Sequence, residues 1–260
     1  MKAIINGTEI NYRISGNGES CVLLLHGWGC DMKMMQPVAN ALEKNHRVML
    51  IDFPGHGESG RPPEPWGVPE YAECLDKLLE KLHFAPCDVI AHSFGCRVAA
   101  WIEVHHPEMF KRIVFTGAAG IRKKPSPESV KRTARYKKLK GFCQLFSQIP
   151  IARIAAKALE NKLVRKYGSK DYNALDEEMR KTFVKVINQD LSPLYKQFTS
   201  STLLIWGDAD TETPLWMAKE MSRDIPDAGL IILEGGTHFA YLEQIQRFNT
   251  IVSHFLKGDE

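Results

Sequence analysis

The sequence predicts an α/β chain: a mainly parallel sheet with helices on both faces, plus an inserted helical cap. Three observations carry this. Short runs rich in Val, Ile and Leu alternate with amphipathic stretches along most of the chain. The runs are continuously apolar, as in strands covered on both faces. Residues 119–199 show helical periodicity and no strong strand run, and so long a segment is not a structureless loop.

The elements follow in order. MKAIINGTEINYRISG reads as two short strands around the Asn6-Gly7 turn. CVLLLH (21–26), RVMLID (47–52), DVIAHS (88–93) and RIVFTG (112–117) read as buried strands, with helices at 34–44, 69–82 and 94–105. After the insertion, TLLIWG (202–207) and LIILEG (230–235) resume the strand pattern, with helices near 214–222 and 241–256. The expected organisation is a core of residues 1–118 and 200–260 with a helical cap at 119–199.

The chain of 260 residues is long enough for one full core. Its 44% hydrophobic and 25% charged residues exclude a disordered or fibrous protein. No apolar run approaches the ~18 residues of a membrane span, and the N-terminus lacks a signal-like apolar stretch. The six scattered cysteines form no CxxC pair, so reduced thiols and a cytoplasmic location are expected. Residues 119–199 hold 19 Lys and Arg against 7 Asp and Glu, a net +12, while the rest of the chain is acidic at −9. An anionic or carrier-bound substrate, or an anionic lipid surface, fits that segment; nucleic acid is not expected.

Five motifs carry chemistry. AHSFG (91–95) lies between a strand and a helix, where a serine on a tight turn needs small neighbours. Ala91 and Gly95 supply them, and the helix start favours negative charge. The Phe94 N–H is then an oxyanion donor. HGWG (26–29) follows a strand, and the Trp28 N–H is a second candidate donor. DFPGHGESGRP (52–62) spells GxGxxG, but the prolines behind it deny the helix start that a dinucleotide requires, so a glycine-rich turn is expected. WGDADTETP (206–214) offers three candidate acids, Asp208, Asp210 and Glu212. GGTHFAY (235–241) offers His238 as a base for Ser93.

These motifs together resemble the α/β-hydrolase superfamily, in its cap-bearing, carboxylesterase-like members, and the resemblance spans the chain. It implies a serine esterase with the triad Ser93, Asp210 and His238, and its Gly-x-x-Asp pattern selects Asp210 at Gly207-Asp208-Ala209-Asp210. Thr237 stands where relatives often have glycine. Expected oxyanion donors are Trp28 and Phe94; expected substrate-binding residues are Trp28, Phe94, Phe142, Phe146 and Phe239, with Leu145, Ile149 and Ile151 extending the wall. No metal or cofactor is expected. HGWG and the basic segment also resemble esterases of pimeloyl carrier-protein methyl esters. Carbon–carbon hydrolysis, cofactor-free perhydrolysis and a sensor role with a protein partner stay open.

Overall fold

A computed structural model describes residues 1–122, 127–147, 153–167 and 169–257. Its strands are β1 (Lys2–Ile5), β2 (Thr8–Ser15), β3 (Cys21–Leu25), β4 (Arg47–Ile51), β5 (Cys87–His92), β6 (Phe110–Thr116), β7 (Ser201–Gly207) and β8 (Ala228–Leu233). Among the described residues these eight form one sheet in the order β1-β2-β4-β3-β5-β6-β7-β8. The β1–β2 pair is antiparallel and turns at Asn6 and Gly7, whose φ values of 48° and 75° are the two positive values a type I′ turn needs. β2 also runs antiparallel to β4, and all later pairs are parallel.

The helices are α1 (Gln36–Leu42), α2 (Val68–Lys81), α3 (Phe94–His105), α4 (Pro127–Ser147), α5 (Arg153–Tyr167), α6 (Lys170–Ala174), α7 (Glu177–Asn188), α8 (Ser192–Tyr195), α9 (Leu215–Asp224), α10 (Ala240–Glu243) and α11 (Ile245–Lys257). The strand period of two divides the core between the two faces. Leu23, Leu25, Val89 and Ala91 join the core with α2, α3 and α9. Val22, Leu24, Ile90 and Val114 pack on the other face with α1, α10 and α11. Continuous apolar runs therefore mark strands buried on both sides.

Local differences from the expected helices have local causes. The helix expected from Met34 begins at Gln36, because Met32–Met35 form a tighter 3₁₀ turn whose Lys33 N–H donates to Asp31 Oδ1 at 2.8 Å. The final helix breaks at Gln244, whose side chain donates to the Glu234 carbonyl at 2.9 Å. After Gly60 no helix begins before Val68, so the GxGxxG run opens no phosphate-binding helix.

The described residues of the insertion form five helices, α4 to α8, and short non-helical stretches, and hold no strand. The chain divides into two compact units, Met1–Arg122 with Val184–Glu260, and Lys123–Phe183. Residues from 184 onward fall with the sheet because Val186, Leu191, Tyr195 and Phe198 are buried in its core.

The return to β7 is held by a buried carboxylate. Glu103 Oε1 accepts the N–H groups of Thr199 and Ser200, both at 2.8 Å, and its Oε2 accepts the Ser200 hydroxyl at 2.9 Å. Removing it strands two backbone donors away from water. Glu103→Ala should lower unfolding stability by about 2–4 kcal/mol in a urea titration, with Glu103→Gln intermediate. Wild-type stability in Glu103→Ala would show that the clamp contributes nothing.

Candidate active site

The site assembles at the C-terminal ends of parallel strands, where open α/β sheets place their functional loops. Between β5 and α3 the chain reverses within one residue. Ser93 sits there at φ 50°, ψ −104°, a conformation that costs a non-glycine residue about 1–3 kcal/mol. The turn is held from both sides: the Ser93 N–H donates to Thr116 O at 3.1 Å, and its carbonyl accepts from Ala119 N at 3.2 Å. It requires a glycine at 95, where a Cβ would lie 2.8 Å from both the Cβ and the carbonyl oxygen of Leu25.

Ser93 Oγ lies 3.0 Å from His238 Nε2, and His238 Nδ1 lies 2.8 Å from Asp210 Oδ2. Both His238 and Asp210 are buried. The rest of the Asp210 carboxylate is saturated. Oδ1 accepts from the N–H of Glu212 (2.8 Å) and Thr213 (2.9 Å), and Oδ2 accepts the Thr213 hydroxyl at 2.7 Å. Burial opposes the Asp210 charge, but the hydrogen bonds from His238 and Thr213 outweigh it and hold its pKa below the ordinary carboxylate value. Asp208 is exposed and accepts the Gly235 N–H at 2.7 Å, which braces the loop before His238. Thr237 anchors the same loop through its N–H, which donates to Glu243 Oε2 at 2.8 Å.

The HGWG loop comes against the serine because Gly27 has no side chain. A Cβ there would lie 2.8 Å from His92 Nδ1 and 3.3 Å from Ser93 Cβ. His26 ties this loop to the glycine-rich turn: its Nε2 accepts the Phe53 N–H at 3.0 Å, and its Nδ1 bonds the Gly27 carbonyl at 2.7 Å. Asp52 is the hub of that turn, accepting from Asn11 Nδ2, Met32 N and Glu58 N at 2.8–2.9 Å. His92 donates from Nε2 to the His238 carbonyl at 3.0 Å, so it fixes the backbone that carries the histidine. Its Nδ1 is buried and has no hydrogen-bond partner among the described residues.

The aromatic residues fall in three places. Phe94 opens α3, and its ring is buried against Trp28 (5.2 Å), Phe53 (5.0 Å) and Tyr71 (5.0 Å). Trp28 also meets His56 edge-on at 4.8 Å. Phe239 packs on His92 and His238 at 5.1 and 5.5 Å. Phe142, Leu145 and Phe146 are exposed on α4; Ile149 and Ile151 lie outside the described residues. Thr213, which the sequence did not single out, and Glu212, one of its three candidate acids, both lie at the site. Thr213 lies 3.1 Å from His238 Nδ1, and Glu212 is exposed yet 3.7 Å from His238 Nε2. A threonine near an acid carries no sequence signal; WGDADTETP hinted only that a carboxylate was present. Among the described residues no three His, Cys, Asp or Glu side chains gather as metal ligands. No helix among them is long and apolar enough to cross a membrane.

With this geometry in hand, comparison with known proteins gives the class. The family profile described as alpha/beta hydrolase fold matches residues 21–244, and the chain belongs to the α/β-hydrolase family of enzymes. It is 26% identical over 265 residues to a 2-hydroxy-6-oxononadienedioate/2-hydroxy-6-oxononatrienedioate hydrolase of Pseudomonas sp, covering 97% of this chain and 93% of that one. It is 24% identical to a pimeloyl-(acyl-carrier protein) methyl ester esterase of Neisseria meningitidis, covering 91% and 93%. The crystal structure of an enol-lactonase from Burkholderia xenovorans shares the fold at TM-score 0.75 and 21% identity, covering 99% of this chain and 100% of that one.

Three buried histidines around the site are held neutral. Burial pushes His26 down to about 4, and burial with the nearby His26 charge does the same for His56. Burial, then the His238 charge, pushes His92 down to about 3. The unfolded chain takes up these protons near pH 6.5. It therefore binds more protons than the folded chain between about pH 6.5 and 4, and stability falls as pH drops through that window. Asp88, raised to about 6 by burial, acts in the opposite sense, but three histidines outnumber it. Urea titrations should show unfolding free energy falling by several kcal/mol from pH 7 to 4.5. A flat profile would mean these rings are protonated in the fold.

Proposed function

We propose that the protein hydrolyses carboxylic esters through an acyl-enzyme on Ser93. The observation that carries this reading is the hydrogen-bonded line Ser93 Oγ–His238–Asp210, with spans of 3.0 and 2.8 Å, on a strained strand-to-helix turn. Ser93 Oγ attacks the carbonyl carbon as His238 Nε2 takes its proton. The backbone N–H groups of Phe94 and Trp28 hold the oxyanion, aided by the start of α3. The C–O bond then breaks, and His238 gives the proton to the leaving alcohol. Water attacks the acyl-enzyme with His238 as base, releasing the acid and restoring Ser93. Asp210 keeps the imidazole in the reactive tautomer and stabilises its cation, and Thr213 orients Asp210.

The helical unit acts as a cap that selects the acyl group. The enzyme works in the cytoplasm without metal or cofactor. Similarity to the Neisseria esterase favours testing a carrier-bound ester beside free ones. A second reading is hydrolysis of a carbon–carbon bond in an unsaturated oxo-acid, favoured by similarity to the Pseudomonas hydrolase.

Ser93→Ala should remove nearly all hydrolysis of p-nitrophenyl esters while the melting temperature holds, and a fluorophosphonate should label Ser93 alone. Labelling elsewhere, or an active alanine variant, would falsify the assignment. Asp210→Asn should lower kcat by up to about 10⁴, as in the serine-protease triad, whereas Asp208→Asn costs far less. If Asp208→Asn is the more damaging change, the acid has been misassigned.

A further inference from the structure

The helical unit carries an unusual distribution of surface that ester hydrolysis does not call for. α4 and α5 hold eleven Lys and Arg against two Glu. They pack as an antiparallel pair: Arg132, near the start of α4, reaches the carbonyls of Lys166 and Tyr167 at the end of α5 at 3.4 and 3.3 Å. At the opposite end, Leu139, Phe142, Cys143 and Phe146 face Ala155, Ala156, Leu159 and Leu163 across an apolar cleft of about 380 Å³. Positions 139, 142, 143 and 146 recur at helical spacing, so they form one face of the last two turns of α4.

Eight of the eleven cations lie toward one end of the hairpin, while Lys140, Arg153 and Lys157 stand among the apolar groups at the other. Lys131, Arg132, Arg135, Lys137 and Lys138 on α4, with Lys162, Arg165 and Lys166 on α5, are exposed toward one end. At the other end large apolar groups face solvent: Ile154 is 85% exposed, Leu145 62%, and Phe142, Phe146 and Leu159 each just over half. Exposed apolar clusters of this kind mark interaction sites. A soluble acidic partner would match the lysines and leave the apolar end unexplained. A membrane matches both.

We propose that this hairpin docks on an anionic phospholipid surface. Its apolar end enters the headgroup–acyl boundary, where interfacial helices sit roughly 5–10 Å deep. The basic groups behind it lie among anionic headgroups, where each adds to binding and fades within a Debye length. The cleft between α4 and α5 receives acyl-chain segments at the boundary. The inference is independent of the triad reading, since Ser93, His238 and Asp210 take no part in it.

Co-sedimentation of the full chain with vesicles tests it. The wild type should bind phosphatidylcholine–phosphatidylglycerol vesicles and bind phosphatidylcholine alone far more weakly. Binding should weaken as NaCl rises from 0.1 to 1 M, over which the Debye length falls from roughly 10 to 3 Å. The K131E/K137E/K138E variant should partition roughly 100-fold more weakly. Ile154→Ser with Leu159→Ser, at unchanged charge, should cost about tenfold. Thermal melts within a few degrees of wild type establish that the variants fold, and the lipid and salt comparisons need no variant at all. No binding to anionic vesicles at low salt overturns the proposal. So does binding of a soluble acidic acyl carrier protein that depends on the lysines, with vesicle binding indifferent to the Ile154 and Leu159 changes.

Discussion

The structure turns on one backbone constraint. At Ser93 the chain must leave β5 and enter α3 with no intervening loop, and it does so at φ 50°. Such a conformation persists only where its surroundings over-determine it. Here β6 takes the Ser93 N–H, the Ala119 N–H takes its carbonyl, and Gly95 lets the new helix pass close to β3. The strain projects the hydroxyl toward His238 and begins the helix dipole directly behind it. Gly117, at φ 53°, belongs to the same design: a Cβ there would lie 3.1 Å from His238 Nδ1.

Around this turn the polar groups are arranged to hold geometry rather than to titrate. His26 accepts the Phe53 N–H, and Asp52 accepts those of Met32 and Glu58, which ties three loops together. His92 grips the His238 backbone, and Asp210 spends most of its lone pairs on the turn after β7. Each arrangement fixes a loop by a hydrogen bond to its main chain, which restricts the side chain on that loop more firmly than packing alone.

Much of this was legible in the sequence, for physical reasons. Buried parallel strands must be apolar on both faces, so CVLLL and DVIAH are visible as runs, and Asn6-Gly7 announces a turn with two positive φ values. The turn at Ser93 was legible because its small neighbours are a steric necessity. The residues alone did not choose among Asp208, Asp210 and Glu212, since all three follow β7 within five residues; the resemblance chose Asp210 through Gly-x-x-Asp, and the fold buries Asp210 while leaving Asp208 exposed to brace Gly235. Thr213 had no signal, because its role depends on where Asp210 and His238 meet. The break at Gln244 was equally hidden, since the apolar spacing of α10 and α11 continues across it.

The stretches on either side of the insertion reveal a further property of the sheet unit. The chain leaves β6 through Gly120, whose carbonyl accepts the Leu191 N–H at 2.9 Å, and Arg97 of α3 holds the Gln189 carbonyl at 2.8 Å. Ten residues after Gln189, Thr199 and Ser200 are fixed by Glu103, six residues beyond Arg97 on the same helix. Exit and return are therefore stapled to α3 and to each other before β7 starts. The sheet register does not depend on what lies between them. That makes the junction a socket: the sheet unit closes on itself at Gly120, Gln189 and Thr199, so a helical segment of another length can stand between Arg122 and Val184 without disturbing the strands on either side.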